Sequence, residues 1–569
     1  MKKIIIKYLE HIKKEYIILF LVTLFIYMPF ISMNFALGHD AVFHLTNVDA
    51  VTRMIINLNF SKITPYLAND FGYGTLIFYP PLPHLITAFF NIPFLIIGKS
   101  TIYSFKIVYF LTTLLSGYYM YKLSYLLTRN KNASLLSSVV YITMPYYLCD
   151  IFTRTAYNEV FIFLFMPMIF IGLISLLKDN LKLFYIYFLL GYFGIINSHL
   201  VLSVYFTILV LLFMISNLKS FLKKWKHLLL ASVILLILIM PDIALLIQHK
   251  NLGIYTIFEG EYVSSTSDVV KTLGLTIKDY IIPRINKWDL YHYINIISIV
   301  FSILGIARVY NAKNKNKKIY IGFIIFLIFG FTLSLKIFPY QYLPKLLMSI
   351  QFAYRNEGFV IFALSIFAGY GLLAINKKYY AKTVYISIVV LAICSAPFIN
   401  KMNLIRDNYY EDYGRVSGMG AHQEYLPLNG YKNVDYFIER EDGIIVTNNT
   451  NPKIKIIKNN SPELIFSVTN TNNATTTLEL PRIYYLGYEI LEEHNSKIKK
   501  LDYMLGDKGF IKINVKNNSK IYVKFQGTSL YNALKTIRNI IILLFLIMIL
   551  TNKKIGWFKY EERNKKIKL

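Results

Sequence analysis

Residues 81–98 read Pro81-Leu-Pro83-His84-Leu-Ile-Thr87-Ala-Phe-Phe-Asn91-Ile-Pro93-Phe-Leu-Ile-Ile-Gly98, and whether this stretch crosses a membrane decides the topology of everything after it. It is apolar enough for lipid, but three prolines interrupt it and it is shorter than the ~20 residues a spanning helix needs. The basic residues decide the matter. With the stretch left outside and the amino terminus inside, the runs at Arg129/Lys131, Lys178/Lys182, 219–226, 308–318, 377–382 and 553–568 all fall on one side. Together with the amino terminus they hold 28 of the 61 Lys and Arg residues. If the stretch crossed, the runs directly after it would change sides and the asymmetry would be lost. Short cytoplasmic loops carry the Lys and Arg excess in membrane proteins. Residues 81–98 are therefore expected to lie along the membrane surface, with both termini cytoplasmic in a multi-pass protein of the plasma membrane.

Composition agrees. Of 569 residues, 55% are hydrophobic, 16% aromatic and only 16% charged, where a soluble domain carries ~25% charged residues. The formal net charge of +29 would suggest nucleic acid in a soluble chain. Here it sits in short runs between apolar stretches, so the partner is the lipid bilayer and not nucleic acid. Two cysteines, Cys149 and Cys394, exclude a disulfide scaffold. Candidate spans begin near Ile17, Tyr103, Ala133, Tyr157, Leu183, Val201, Leu228, Tyr291, Tyr320, Gly358, Thr383 and Thr536, which makes about twelve.

Three outward regions follow from that topology: residues 38–102, 248–288 and 400–532. The last has 17 basic and 15 acidic residues, an ordinary water-facing balance. Its β-forming segments at 443–446, 453–457, 463–468, 475–480, 483–490, 509–515 and 520–525 are separated by Asn-, Gly- and Pro-rich turns. Short strands at this spacing predict a β-sandwich-like domain. The expected organisation is thus a transmembrane domain (1–399), an extracytoplasmic β-rich domain (400–532), and a final helix with a basic tail (533–569).

Polar residues gather at the outer helix ends. The first span leads into Gly38-His39-Asp40, then His44, Asp49 and Arg53. Asp40 and His44 are one helical turn apart and would share a face; the competing role for Asp40 is to cap that helix. A second outer turn carries Asp150, Arg154 and Glu159, either as a structural ion pair or as part of a site. His199 and Asp242 lie near other outer ends, and His199, a lone interfacial histidine, reads as structural. Arg355, in Gln351-Phe352-Ala-Tyr354-Arg355-Asn356-Glu357, is either a snorkelling anchor or a planar fork for a lipid phosphate. Walker A, zincin, nucleophile-elbow and paired Cys-x-x-Cys motifs are absent.

The order of these motifs resembles the GT-C superfamily of membrane glycosyltransferases. The resemblance is carried by His39-Asp40 with His44, by Gly72-Tyr73-Gly74 running on through Phe78-Tyr79-Pro80-Pro81 to His84, and by Arg154-Thr-Ala156 with Glu159. More narrowly, with Gln351-Phe352 to Arg355, Glu424-Tyr425-Leu426-Pro427 and Leu480-Pro481 to Gly487-Tyr488, it resembles bacterial membrane proteins labelled "6-pyruvoyl-tetrahydropterin synthase-related" and their YfhO-like relatives. The pterin label implies no zinc chemistry, because no histidine cluster has ligand spacing.

The resemblance implies a GT-C-like fold, a polyprenyl-phosphate-linked sugar as donor and a cell-envelope acceptor. It also implies a catalytic Asp40, with Glu159 as the second acidic position and Asp150 competing for it. The Asn356-Glu357 pair is more polar than that pattern. Charge assigns Arg355 to the phosphate, with Arg154 or His44 as a second donor. No cofactor is called for, and a divalent metal is left open. The alternative from another class is a non-enzymatic transporter or scaffold for lipid-linked glycans that keeps the fold.

Overall fold

The computed structural model describes residues 14–31, 35–36, 38–259, 274–282, 292–311, 316–348, 350–400, 404–405, 419–420, 423–460, 462–469, 475–516 and 518–551. The expected span start at Tyr291, the amino-terminal lysines up to Lys13 and the basic tail lie outside the described residues.

The helices that matter are α1 (Lys14–Tyr27), α2 (Ala41–Ile56), α3 (Leu82–Ile96), α4 (Ile102–Thr128), α5 (Lys131–Ile142), α6 (Pro145–Phe152), α7 (Tyr157–Leu177) and α8 (Leu181–Ser198). They continue as α9 (Leu200–Ile215), α10 (Trp225–Lys250), α11 (Ile296–Tyr310), α12 (Lys317–Ser334), α13 (Glu357–Leu372), α14 (Tyr380–Asn400) and α15 (Ser529–Thr551). Among the described residues six helices are long and apolar enough to cross a membrane, and a seventh span if the pair α5–α6, bent by 44°, counts as one. The expected twelve exceed that number. Other expected spans coincide with short helices, such as α9 and α13 at 16 residues each and α11 at 15. Another coincides with α4, which is rich in Tyr, Ser and Thr.

The surface shows which solvent the bundle faces. α3 buries His84, Thr87 and Asn91 while leaving Phe89, Phe90 and Ile96 exposed. α10 exposes Leu229, Leu230, Val233, Leu236 and Met240. A water-facing helix does the reverse; hydrocarbon selects an apolar outside with polar groups paired within. α7 is the central post, buried from Tyr157 to Leu176, with α4 and α8 packed along it.

Nine strands follow: β1 (Ile445–Val446), β2 (Lys453–Asn459), β3 (Glu463–Thr469), β4 (Thr476–Ile483), β5 (Tyr488–His494), β6 (Lys497–Lys500), β7 (Tyr503–Leu505), β8 (Phe510–Val515) and β9 (Ser519–Phe525). They form two antiparallel sheets, ordered β1-β4-β8-β7 and β2-β3-β9-β5-β6. Period-two alternation in β3 turns Leu464, Phe466 and Val468 inward, where they share one core with Leu478, Leu480, Ile490, Ile513 and Ile521. Both edges of the larger sheet carry lysines, Lys453, Lys455 and Lys458 on β2 and Lys497, Lys499 and Lys500 on β6. Such edges resist pairing with another chain. The expected segment 483–490 is not one strand. β4 runs through to Ile483, Gly487 turns the chain at φ +109°, and β5 begins at Tyr488.

This β-domain is seated on the loop between α2 and α3. The Tyr73 hydroxyl donates to Met419 O (2.8 Å) and accepts from Tyr425 N (3.0 Å). Phe78 stacks on Tyr425, and Phe71 meets Phe510 edge-on at 5.1 Å. At Gly74 an added Cβ would come within 2.7 Å of the Tyr485 ring, so only glycine lets the two surfaces close. From α10, His249 Nε2 accepts from Leu486 N, and Asp242 meets Lys62 (2.6 Å) and Arg538 of α15 (3.1 Å).

Candidate functional site

The site grows from the corner between α6 and α7. Four residues, 153–156, make that turn, with Thr155 at φ +51°. The turn folds the Arg154 side chain back over both helix ends. Its Nη1 donates to Asp150 Oδ1 (2.5 Å) and to Glu159 Oε2 (3.0 Å), and its Nη2 to Glu159 Oε1 (2.8 Å). The Tyr146 hydroxyl donates to Glu159 Oε2 (3.1 Å) and accepts from Arg154 Nη1 (3.3 Å). The Tyr354 ring lies 5.3 Å from the guanidinium carbon. The Arg154, Asp150 and Glu159 side chains are 4%, 0% and 6% exposed, so these charges survive burial only through each other.

Arg355 enters from the far side of the chain, on a 3-10 turn (Ala353–Asn356) that feeds α13. Its Nε lies 3.0 Å from Glu159 Oε1. Its Nη1 donates to Ile350 O (3.0 Å) and Gln351 Oε1 (2.9 Å), and Phe352 underlies the fork. Among the described residues Nη2 donates to no protein group. Glu159 thus holds two guanidiniums at once.

The third strand of the site is Gly38-His39-Asp40. His39 N donates to Thr153 O (3.3 Å), Asp40 N to Arg154 O (2.9 Å), and Gly38 N to Thr155 Oγ1 (3.1 Å). A Cβ on Gly38 would fall 2.2 Å from Thr155 Oγ1, so glycine is what allows the segment to lie against the turn. Asp40 occupies the N-cap position of α2, yet its side chain makes no capping hydrogen bond. That removes the geometric basis for the capping role. The residue is exposed at one edge and walled by protein elsewhere. Partial loss of water raises its pKa, opposed by the Arg154 and Arg355 charges and reinforced by Glu159.

The sequence-expected residues therefore separate. Asp40, Arg154, Glu159 and Arg355 come together, with Asp150 behind them. His44 does not reach the opening: it is buried, and its Nδ1 lies 2.9 Å from His84 Nε2 between α2 and α3. The one-turn spacing from Asp40 is present, since His44 N donates to Asp40 O (3.1 Å), but the His44 ring is drawn against α3 by His84. Arg154, expected as a phosphate donor, is already engaged by Asp150, Glu159 and Tyr146. His199 accepts from Leu202 N as the cap of α9, and Asp242 holds α15 against α10 through Arg538. The Asp49–Arg53 pair (2.8 Å) is a surface contact. Tyr146 and Tyr354 were missed from sequence; the signal was an aromatic residue within one turn of each charged one. Among the described residues no three His, Cys, Asp or Glu side chains are placed to hold a metal ion. Glu159 and Asp150 bind guanidinium instead, so the donor set does not fit a divalent cation.

The fold and site define a polytopic helical membrane protein with an arginine–carboxylate centre at one end of its bundle. No family model matches the chain. It is 23% identical over 596 residues to an uncharacterized protein of Lactococcus lactis subsp. cremoris (strain MG1363), covering 92% of this chain and 93% of that one. Among solved structures it is similar to ArnT from Cupriavidus metallidurans bound to undecaprenyl phosphate, at 14% identity and a TM-score of 0.40, over 75% of this chain and 72% of that one.

Proposed function

We propose that the chain is a GT-C-like membrane glycosyltransferase that moves a sugar from a polyprenyl-phosphate carrier to a hydroxyl of a cell-envelope glycan, lipid or polymer on the outer face. One observation carries this reading: Asp40, a carboxylate with no hydrogen bond among the described residues, faces the edge of a guanidinium cluster in which Arg355 Nη2 is free. This supports reading Asp40 as the base and Arg355 as the phosphate-binding group.

The anomeric carbon–oxygen bond to phosphate breaks with its electron pair going to the phosphate. Arg355 stabilises that charge through charge-assisted hydrogen bonds. The acceptor oxygen bonds the opposite face of the anomeric carbon, inverting it, as its proton passes to Asp40 across ~2.6–3.2 Å. Glu159 and Arg154 touch no reacting atom in this scheme and act by positioning Arg355. No metal-dependent step is included. The β-domain above the first loop covers the site and selects the acceptor, and the bundle crosses the membrane about twelve times with both termini inside.

The test is turnover of the purified full chain in lipid nanodiscs with a panel of polyprenyl-phosphate sugars. Base catalysis contributes ~10²–10⁴-fold, so Asp40→Asn should lower transfer by about that factor with carrier binding retained. Unchanged transfer by that variant removes Asp40 as the base. The second reading, a non-enzymatic carrier or scaffold for lipid-linked glycans, draws support from the complete mutual engagement of Arg154 and Glu159. It predicts donor binding with no release of carrier phosphate from any donor by the wild type.

A further inference from the structure

At the other end of α7, Ser175 lies sixteen residues beyond Glu159, about 24 Å along the axis at 1.5 Å per residue. A cavity of about 270 Å³ opens there between α1, α4, α7 and α8. Three cations line it: Lys122, Arg129 and Lys131. Among the described residues the carboxylate paired with them is Glu15, whose Oε1 lies 3.9 Å from Lys131 Nζ. Lys122 Nζ donates to the Tyr187 hydroxyl (2.8 Å) and lies over the Tyr118 ring, which fixes an ammonium in the wall without neutralising it. Among the described residues Arg129 makes no ion pair or side-chain hydrogen bond. The inner wall, with Ile171 and Leu126, is apolar.

The backbone adds an independent observation. Arg129 follows the last residue of α4 in the left-handed region, φ +53° and ψ +26°. Glycine or asparagine takes that position with less strain. An arginine held there, with its guanidinium unclaimed at the mouth of a basic cavity, points to a ligand that needs its charge.

We infer that this cavity binds the phosphate of an anionic phospholipid in the leaflet on the Lys- and Arg-rich side, with the acyl chains lying along the apolar wall. Cationic pockets between membrane helices on the cytoplasmic side suit such head groups. The position, about 24 Å along α7 from Glu159, separates this site from the proposed transfer reaction. A free phosphate ion shares the head-group chemistry but has no use for the apolar wall.

The experiment uses the full chain in nanodiscs containing phosphatidylglycerol and phosphatidylcholine, with retained lipid counted by native mass spectrometry. Phosphatidylglycerol should be retained in preference to phosphatidylcholine, and inorganic phosphate should not displace it. Arg129→Gly relaxes the left-handed turn, so its melting temperature should be no lower than that of the parent, while retention falls about fivefold for one charge near the surface. Adding Lys131→Gln should bring the loss to about thirtyfold. Equal retention of both lipids, or unchanged retention in the double variant, overturns the inference. Displacement by inorganic phosphate overturns the lipid assignment in favour of the free ion.

Discussion

Glu159 carries two guanidiniums, and that divides the roles at the residue scale. Glu159→Gln leaves Arg154 and Arg355 side by side with one of their charges uncompensated, and breaking such a buried pair costs about 3–5 kcal/mol. Unfolding in detergent should register a loss of that size. Asp40→Asn makes the contrast: with no capping bond to lose, its stability should stay within about 0.5 kcal/mol of wild type. The pH dependence of transfer follows from the raised pKa of Asp40. A base works ionised, so the rate should climb with pH through a limb lying above the ordinary aspartate range, and Asp40→Asn should abolish that limb. Asp40, Arg154, Glu159 and Arg355 were legible in sequence because each stands near a helix end. The engagement of Arg154 was not, because it depends on the left-handed turn at Thr155. Nor was the burial of His44, which depends on its contact with His84 of α3, forty residues on.

At the element scale, α2 and α3 are joined through His44 and His84, both buried. Burial pushes the His84 pKa down to about 3, while an unfolded histidine titrates near 6.5. The folded form therefore binds fewer protons, and stability should be full above about pH 6.5 and fall as pH drops toward 3. At pH 5 the loss is about 2 kcal/mol. His84→Gln keeps a polar group beside His44 but does not titrate, so its melting temperature should vary less between pH 7 and pH 5. Most strands could be read from alternation and turn residues. β6 and β7 could not, because they have only four and three residues and β6 shows no inward-facing alternation. The six long apolar helices were legible from apolarity alone; α9, α11 and α13 were also read as spans from apolarity, but they have only 15 or 16 residues.

At the scale of the molecule, charge partition gives the orientation its test. Asn448→Cys should react with an impermeant thiol reagent on intact cells, and Lys315→Cys should be protected; the reverse pattern inverts the topology. The seating of the β-domain is tested by Tyr73→Phe, which strands Met419 O and Tyr425 N. Each unmet buried group costs about 1–3 kcal/mol. Hydrogen exchange should therefore quicken at the junction of loop and β-domain, with β3 and β9 remaining protected. The sequence pattern 72–84 signalled importance without its reason. That reason is long-range: Gly74 must leave room for Tyr485, far down the chain.

The partner that closes on Tyr73 lies 346 residues downstream. At ~5–20 residues per second a ribosome needs roughly 17–70 s to make that interval. For that long Phe71 and Tyr73 stand without their β-domain cover, while Phe78 can meet His249, Tyr255 and Phe258 sooner. Biogenesis thus includes a waiting period in which the newborn loop is an adhesive patch, and crowding of unfinished copies is the hazard. Slowing translation beyond the first loop should then lower the yield of assembled protein more than slowing it before Lys62.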